Sequence, residues 1–451
     1  MNLRLFGTSG IRGVANVDVT PAISLQVGAA LASTLRGGEI LVGRDVRLTG
    51  EMLEAALISG ILSCGGGVKR LGILPTPSIA LLTKELEADS GVSLTASHNP
   101  PQYNGIKLFS STGMAYTTEQ QMRLGEIIER GEFKLVEWDA TGSVVSADER
   151  WRYIEALADK VKPDQRDRIV CDLFNGSTCT VAPRLFEEAG VETIIINGQP
   201  DGHFPSGTPE PTPMSLRRLG RMVEAMEAGI GFAFDGDGDR MMAVDEKGRI
   251  PSQDTLLAAY SRYIVEKRGG GLVVTHIGAS MCIDEAVSEV GGAVARTRVG
   301  DVCIAEEMMK RGAIFGGEPI GAWIHPDIHP CPDGLLSALK LLEALEGRTL
   351  SEFMEGINEY PILNTKLDCR EDEKEEVMKR ISSSYPEILG EAEVTTVDGL
   401  RLDFEDGWVL IRASGTEPAI RITTEARELE AAKGLLKRAQ ELVSKALRGI
   451  A

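Results

Sequence analysis

Short β-rich runs alternate with amphipathic helical runs along the first third of this chain. Residues 39–42 predict a strand ending at Gly43-Arg44-Asp45, and 50–63 predict a helix. A second strand over 68–74 is closed by Pro75-Thr76-Pro77 and followed by a helix from about 79 to 86. A third strand, 91–94, runs into Ser97-His98-Asn99-Pro100-Pro101, where two prolines forbid continued pairing. Alternation at this spacing predicts α/β layers with functional loops at strand ends.

The pattern then restarts. A charged, helix-like stretch over 148–161 marks a boundary, followed by a strand over 168–172, Asn175-Gly176 and a helix over 181–189. After a proline-rich segment, 205–213, the apolar strand 231–234 runs into Asp235-Gly236-Asp237-Gly238-Asp239-Arg240, and 241–244 resumes as strand. A third unit comprises a strand over 271–275, a helix over 281–290 and a strand over 313–315 that leads into the glycine loop Gly316-Gly317-Glu318. The end of the chain differs, with strands near 398–404 and 408–412, a loop over 413–418, a strand over 419–424 and a last helix. The expected architecture is three similar α/β domains with mixed sheets (1–148, 149–250, 251–362) and a smaller C-terminal α+β domain (363–451), with an active site in a central cleft.

Composition narrows the class. A length of 451 residues suggests about three domains, and 43% hydrophobic with 25% charged residues is ordinary for a globular protein. The first residues lack the apolar core of a signal peptide, and no run approaches the ~18 apolar residues of a membrane span, so a cytoplasmic location is expected. The seven cysteines are scattered without a C-x-x-C pair; Cys64, Cys171 and Cys282 read as core residues, not zinc ligands or a disulfide framework. A net charge of −19 argues against nucleic-acid or anionic-membrane surfaces. A phosphorylated substrate would therefore need its cations concentrated locally.

Four segments carry chemistry. In Asp235-Gly236-Asp237-Gly238-Asp239-Arg240, three carboxylates at alternate positions of a glycine-rich turn can converge on one hard cation, and oxygen-only ligands favour Mg²⁺ or Ca²⁺. An EF-hand loop is the rival, with Glu246 at its twelfth position, but Arg240 occupies the sixth, where that loop needs Gly, and the flanks read as strands. Ser97 stands in a proline-closed turn, and no G-x-S-x-G elbow occurs to support an esterase-type triad. A serine that carries phosphate needs a metal and cationic donors, for which Arg12, Lys107 and Arg240, in or beside loops at strand ends, are candidates. Arg412-Ala413-Ser414-Gly415-Thr416-Glu417-Pro418, with Arg421, forms a compact phosphate cradle or an ordinary Ser-Gly turn. Glu318, in Gly316-Gly317-Glu318-Pro319-Ile320-Gly321, is an acceptor suited to vicinal sugar hydroxyls, or part of a plain turn.

Taken in order, these segments resemble the α-D-phosphohexomutase family across essentially the whole chain. Phe6-Gly7-Thr8-Ser9-Gly10-Ile11-Arg12-Gly13 is similar to its N-terminal signature, Val42-Gly43-Arg44-Asp45 and Pro75-Thr76-Pro77 to its first-domain turns, and 95–100 to its phosphoserine loop. Residues 235–240 resemble its magnesium loop, Gly317-Glu318 its sugar-binding loop and 412–418 its C-terminal phosphate site. The resemblance implies a phosphorylated Ser97, with Mg²⁺ held by that serine and by Asp235, Asp237 and Asp239. A hexose monophosphate then passes through a bisphosphate, which also serves as activator. It further implies Lys107 as general base, and Arg12 and Arg240 as stabilisers of the transferring group. His98 orients the nucleophile or simply ties the turn. Thr297, Gly300, Asp301, Glu318, Arg412, Ser414, Gly415, Thr416 and Arg421 are the implied substrate-binding residues.

The sequence departs from the glucose and mannose phosphate mutases at two places. Their Gly-Glu-x-Ser-Gly-His is here Gly317-Glu318-Pro319-Ile320-Gly321-Ala322, followed by Trp323. Thr297-Arg298-Val299-Gly300-Asp301 carries Asp where many of them have His. Both features resemble phosphoglucosamine mutases of the archaeal type, and a carboxylate suits the ammonium of an amino sugar. Glucosamine-6-phosphate to glucosamine-1-phosphate is thus the favoured conversion, and phosphomannomutase or phosphoglucomutase activity the alternative. A catalytically silent sugar-phosphate-binding protein, a phosphatase and a homo-oligomer all stay compatible with the sequence, and Trp323, His325 and His329 are open to either a pocket or a structural role.

Overall fold

The computed structural model of the chain describes residues 5–7, 10–163, 168–415 and 417–449. Thr8, Ser9 and Thr416, singled out above, lie outside the described residues. By compactness the chain divides into two units, 1–253 with 300–355 and 254–299 with 356–451.

In the first unit, a six-stranded mixed sheet has the order Ile11–Val14, Tyr103–Ser110, Ser90–Leu94, Glu39–Arg44, Gly67–Ile73, Val144–Ser146. The strands from Ser90–Leu94 onward are parallel neighbours, whereas Tyr103–Ser110 runs antiparallel to both of its partners. The predicted helix Gly50–Ser63 forms as expected, but Pro21–Leu35 carries no legible helical period, because Val, Ala and Gly are buried on most of its faces. Thr20 caps it by accepting from the Ile23 N–H at 3.3 Å, and Pro21 enters at the first turn, where its missing N–H costs nothing. The two helices approach so closely that a Cβ on Gly60 would lie 2.0 Å from the Leu25 carbonyl oxygen. The helix expected from residue 79 begins at Thr76, because prolines 75 and 77 initiate it and do not delay it.

A second sheet in this unit has the order Met241–Val244, Ile230–Phe234, Ile169–Asp172, Thr193–Ile196. Its first pair is antiparallel, so the acidic loop 235–240 is the turn of a hairpin, as strand flanks predicted. The strand Phe315–Glu318 extends further than expected and pairs antiparallel with Ala322–Ile324. Glu318 therefore ends a strand and is not in a loop. The backbone of Gly316 and Gly317 meets its hydrogen bonds in that ladder, and the turn itself is confined to residues 319–321.

In the second unit, Leu272–His276 and Ala293–Thr297 pair in parallel. The C-terminal domain is an antiparallel sheet in the order Ile362–Asp368, Ala419–Ala426, Gly407–Ala413, Leu400–Phe404, Glu393–Thr395. Leu435, Ala439, Leu442 and Val443 of helix Leu429–Arg448 pack into its core with Val409, Ile411, Ile420 and Ile422. The fold is thus three α/β domains with mixed sheets and a smaller α+β domain. Among the described residues no helix is long and apolar enough to cross a membrane, and Cys64, Cys171, Cys179, Cys282, Cys331 and Cys369 are buried thiols.

Candidate active site

Strand Ser90–Leu94 delivers Ser97 three residues past its end, in a left-handed backbone conformation (φ 50°) unusual for a non-glycine residue. The side chain is 1% exposed. Its hydroxyl donates to Asp235 Oδ2 at 2.7 Å and lies 3.2 Å from His98 Nδ1. Serine loop and acidic loop meet without room to spare, since a Cβ on Gly236 would sit 2.7 Å from the Ser97 carbonyl oxygen. Gly238 takes φ 76°, and a Cβ there would lie 2.6 Å from Thr178 Cγ2. These two glycines let three aspartates turn inward together.

The aspartate oxygens suit a hard cation. One ligand oxygen from each of Asp235, Asp237 and Asp239 lies within 4.8 Å of the others, and all three residues are buried. Asp237 Oδ1 and Asp239 Oδ1 are buried with no hydrogen-bond partner, an expensive arrangement for carboxylates unless a cation completes it. Burial and the neighbouring carboxylates raise the pKa of Asp235, and burial with Asp237 raises that of Asp239. Burial also opposes ionisation of Asp237, but Lys107 outweighs it and holds this carboxyl below its ordinary range.

Lys107 lies within strand Tyr103–Ser110 and Arg12 within the short strand Ile11–Val14. The antiparallel pairing of Tyr103–Ser110 with Ser90–Leu94 brings Lys107 opposite Ser93, near the start of the serine loop. The Lys107 ammonium bonds Asp237 Oδ2 at 2.8 Å and Asp239 Oδ2 at 2.6 Å. Burial disfavours its charge, yet the two aspartates win, raising its pKa far above the ordinary value. In this arrangement it is a counter-ion, not a base. Arg12 donates to Asn99 Oδ1 at 2.9 Å, and the Arg240 backbone N–H donates to Asp235 Oδ1 at 3.2 Å. Burial, with Arg240 and Arg12 adding to it, pushes the His98 pKa down to about 3. His98 therefore meets the serine as a neutral ring.

Sequence reasoning stopped at Gly43-Arg44-Asp45 and missed Arg47, two residues on. The Arg47 and Asp45 side chains are fully buried and paired at 2.9 Å. The guanidinium also donates to the carbonyl oxygens of Ser97, Asn99, Pro100 and Tyr103 at 2.6–2.9 Å. The signal available was an Arg-Asp-x-Arg run directly after a buried strand, where a second arginine has few places to go but inward.

In the same unit, Gly300 (φ 125°) precedes helix Asp301–Arg311, and its N–H donates to Glu318 Oε1 at 3.1 Å. Burial and the neighbouring Asp301 push the Glu318 pKa up to about 7. Asp301 lines a cavity of about 20 Å³ with Lys107, Asp239, Thr76 and Cys331. His329 bonds Asp333 at 3.0 Å, Tyr153 donates to both oxygens of the same carboxylate at 2.9 Å, and His325 reaches Ser337 at 3.2 Å. Asp333 also caps helix Gly334–Leu345, and all of these side chains are buried, as is Trp323, edge-on to Phe315. These are buried structural interactions inside the first unit.

Thr297 and the C-terminal loop belong to the second unit. Arg412 and Arg421 are direct cross-strand partners. Arg412 pairs with Asp398 at 3.2 Å and keeps a buried, unpartnered Nε; Arg421 pairs with Glu417 at 3.2 Å. Ser414 Oγ accepts the Glu417 N–H at 3.2 Å, and Gly415 is exposed, with open space where a Cβ would stand. Lys374, also missed from sequence, is buried and holds this loop through the carbonyl oxygens of Ser414 (2.6 Å) and Glu417 (2.7 Å). The serine loop and the C-terminal loop are thus each held through backbone carbonyl oxygens by a buried cation.

Comparison with known proteins gives a consistent picture. Residues 3–135, 151–248 and 252–360 match alpha/beta/alpha domains I, II and III of phosphoglucomutase/phosphomannomutase, and 366–442 match the C-terminal domain. The phosphoglucosamine mutase of Methanocaldococcus jannaschii is 43% identical over 99% of this chain and 100% of its own length. A Methanopyrus kandleri protein named “Probable phosphoglucosamine mutase” is 44% identical over 96% of each. The crystal structure of a phosphoglucomutase/phosphomannomutase family protein from Burkholderia thailandensis superposes with a TM-score of 0.89 at 28% identity, covering 98% of this chain and 97% of that one.

Proposed function

This chain belongs to the phosphoglucomutase/phosphomannomutase family, and from that premise we propose that it is a magnesium-dependent phosphoglucosamine mutase working through a phosphoserine at Ser97. The observation that carries the reading is the Ser97 hydroxyl bonded to one of three convergent buried aspartates. Relatives of near-equal length named as phosphoglucosamine mutases support the substrate.

In this reading the phosphoryl group leaves Ser97 Oγ for the free hydroxyl oxygen of a hexosamine monophosphate, giving a bisphosphate. The bisphosphate turns round and returns its other phosphoryl group to Ser97, so that phosphate has moved between the 6- and 1-oxygens. Mg²⁺ on Asp235, Asp237, Asp239 and the serine phosphate would supply positive charge to the transferring oxygens and compete with Lys107 for two of the carboxylates. Lys107, freed of its ion pairs with Asp237 and Asp239 and present as the neutral amine, takes the proton of the attacking hydroxyl. Arg12 and Arg240 neutralise the transferring group, while neutral His98 orients the serine oxygen. Arg412, Ser414, Gly415, Thr416 and Arg421 hold the phosphate that is not being transferred. Glu318 and Asp301, with Thr297 and Gly300, take the sugar, and their carboxylates suit an ammonium-bearing one.

The test is a coupled assay with Mg²⁺ and a trace of hexose bisphosphate, comparing glucosamine-6-phosphate, glucose-1-phosphate and mannose-1-phosphate, with Ser97→Ala alongside. Preference for the amino sugar and loss of at least ~10³-fold in rate in the variant are expected. Equal or better turnover of glucose or mannose phosphate would refute the substrate and keep the mechanism. Full activity of Ser97→Ala would refute the phosphoserine.

A further inference from the structure

Both backbone polar groups of Ser97 are held by one buried frame. The Ser97 N–H donates to Thr95 Oγ1 at 2.8 Å, and that hydroxyl donates to Asp45 Oδ2 at 2.7 Å. The Ser97 carbonyl oxygen accepts from Arg47 at 2.8 Å, and Arg47 in turn donates Nε–H to Asp45 Oδ2 at 2.9 Å. A guanidinium has five N–H donors, and these contacts, with those to Asn99, Pro100 and Tyr103, engage all five. The frame therefore encloses a nucleophile whose backbone sits at φ 50°. It also fixes Asn99 from behind at its carbonyl, while Arg12 reads the side chain of the same residue from the other side.

We propose that Arg47 is a positioning residue for the phosphoryl transfer: it holds the 97–103 loop so that Ser97 Oγ points at the acidic triad and Arg12 is carried with it. This rests on the mutase reading of the site. The charge of Arg47 is offset by Asp45, with which it is buried at 2.9 Å, so the pair brings no net charge to the phosphoryl group. Its effect lies in orientation, and falls on the transfer step and not on substrate affinity. A slack loop also admits water to the phosphoserine, so hydrolysis gains on transfer.

Arg47→Lys is the informative variant, since it keeps the charge opposite Asp45 but cannot cover four carbonyls with an ammonium. Thr95→Val opens the same frame without removing a charged side chain, taking one hydrogen bond from Asp45 and one from the Ser97 N–H. For both, kcat should fall ~10–100-fold with KM for the sugar phosphate within about twofold, and phosphate release per turnover should rise. Amide hydrogen exchange should quicken in the peptide spanning 95–104 and stay unchanged in the remaining strands of that sheet. Exchange unaltered in that peptide, or a loss of kcat matched by the loss of folded protein at a constant hydrolysis ratio, would overturn the proposal. The exchange readout needs no substrate, so a wild-type protein inactive on all three sugars would sink the mutase reading and the transfer role with it, while exchange would still decide whether Arg47 holds the loop.

Discussion

A glutamate with a pKa near 7 is the residue whose behaviour is most open to measurement. Glu318 is 5% exposed, and its upward shift comes from burial and from Asp301. The folded state then binds the Glu318 proton more tightly than the unfolded chain does. Its contribution to stability is fully present below pH ~4.5 and is lost as pH rises through ~7. The difference from an ordinary glutamate corresponds to roughly 3 kcal/mol at most. Without ligand, Glu318→Gln should melt at a nearly unchanged temperature at pH 5 and at a higher temperature than wild type at pH 8. Asp254, pushed up to about 6 by burial, gives the wild type a slope of the same sign, so the difference between the two proteins is the quantity to read. A pH-independent difference would dissociate Glu318 from the effect.

At the scale of elements, the two phosphate-type loops were legible as loops, but what holds them was not. Asp235-Gly236-Asp237-Gly238-Asp239 announces itself because three like charges that close need a cation. The grip on the C-terminal loop comes from Lys374, forty residues before Ser414 and on a helix, Lys374–Leu389, that no motif marks. Lys374→Met should strand two carbonyls, cost the C-terminal domain about 1–3 kcal/mol, and raise KM for phosphorylated sugars more than it lowers kcat. Steady-state kinetics beside urea unfolding would check both. A change in kcat alone would contradict the phosphate-holding role of the loop.

At the scale of the molecule, the second unit joins two stretches far apart in sequence, and buried polar groups fasten them. Arg401 is 3% exposed, lies 4.3 Å over the Trp408 ring and donates to the Ile277 carbonyl oxygen, while Glu425 accepts from Met281 N–H at 2.8 Å. Ile277, Trp408 and Leu410 close a small apolar cluster beside them. Removing this guanidinium uncovers a buried carbonyl and an aromatic face, worth roughly 2–4 kcal/mol together. Arg401→Ala should lower the melting transition reported by Trp408 fluorescence by about 5–10 °C. An unchanged transition would mean that the apolar cluster alone fastens the unit.

What the sequence by itself determined was whatever local chemistry dictates. Short β-rich apolar runs located most central strands, Gly and Pro located the turns, and the serine, acidic, sugar and C-terminal phosphate-type segments stood out by their own residues. Elements buried on nearly every side, such as Pro21–Leu35, left no period to read, and the strand Tyr103–Ser110 followed two prolines that obscured it. Only the tertiary structure decided which cation answers which anion. Ser97 meets Asp235 across 138 positions, and Lys107 meets Asp237 and Asp239 across 130 and 132. Arg47 and Lys374 act on carbonyl oxygens, which every residue has, so the pattern of side chains does not say which loop either of them holds. Such contacts are made by burial and by the register of strands distant in sequence, and those exist only once the chain has folded.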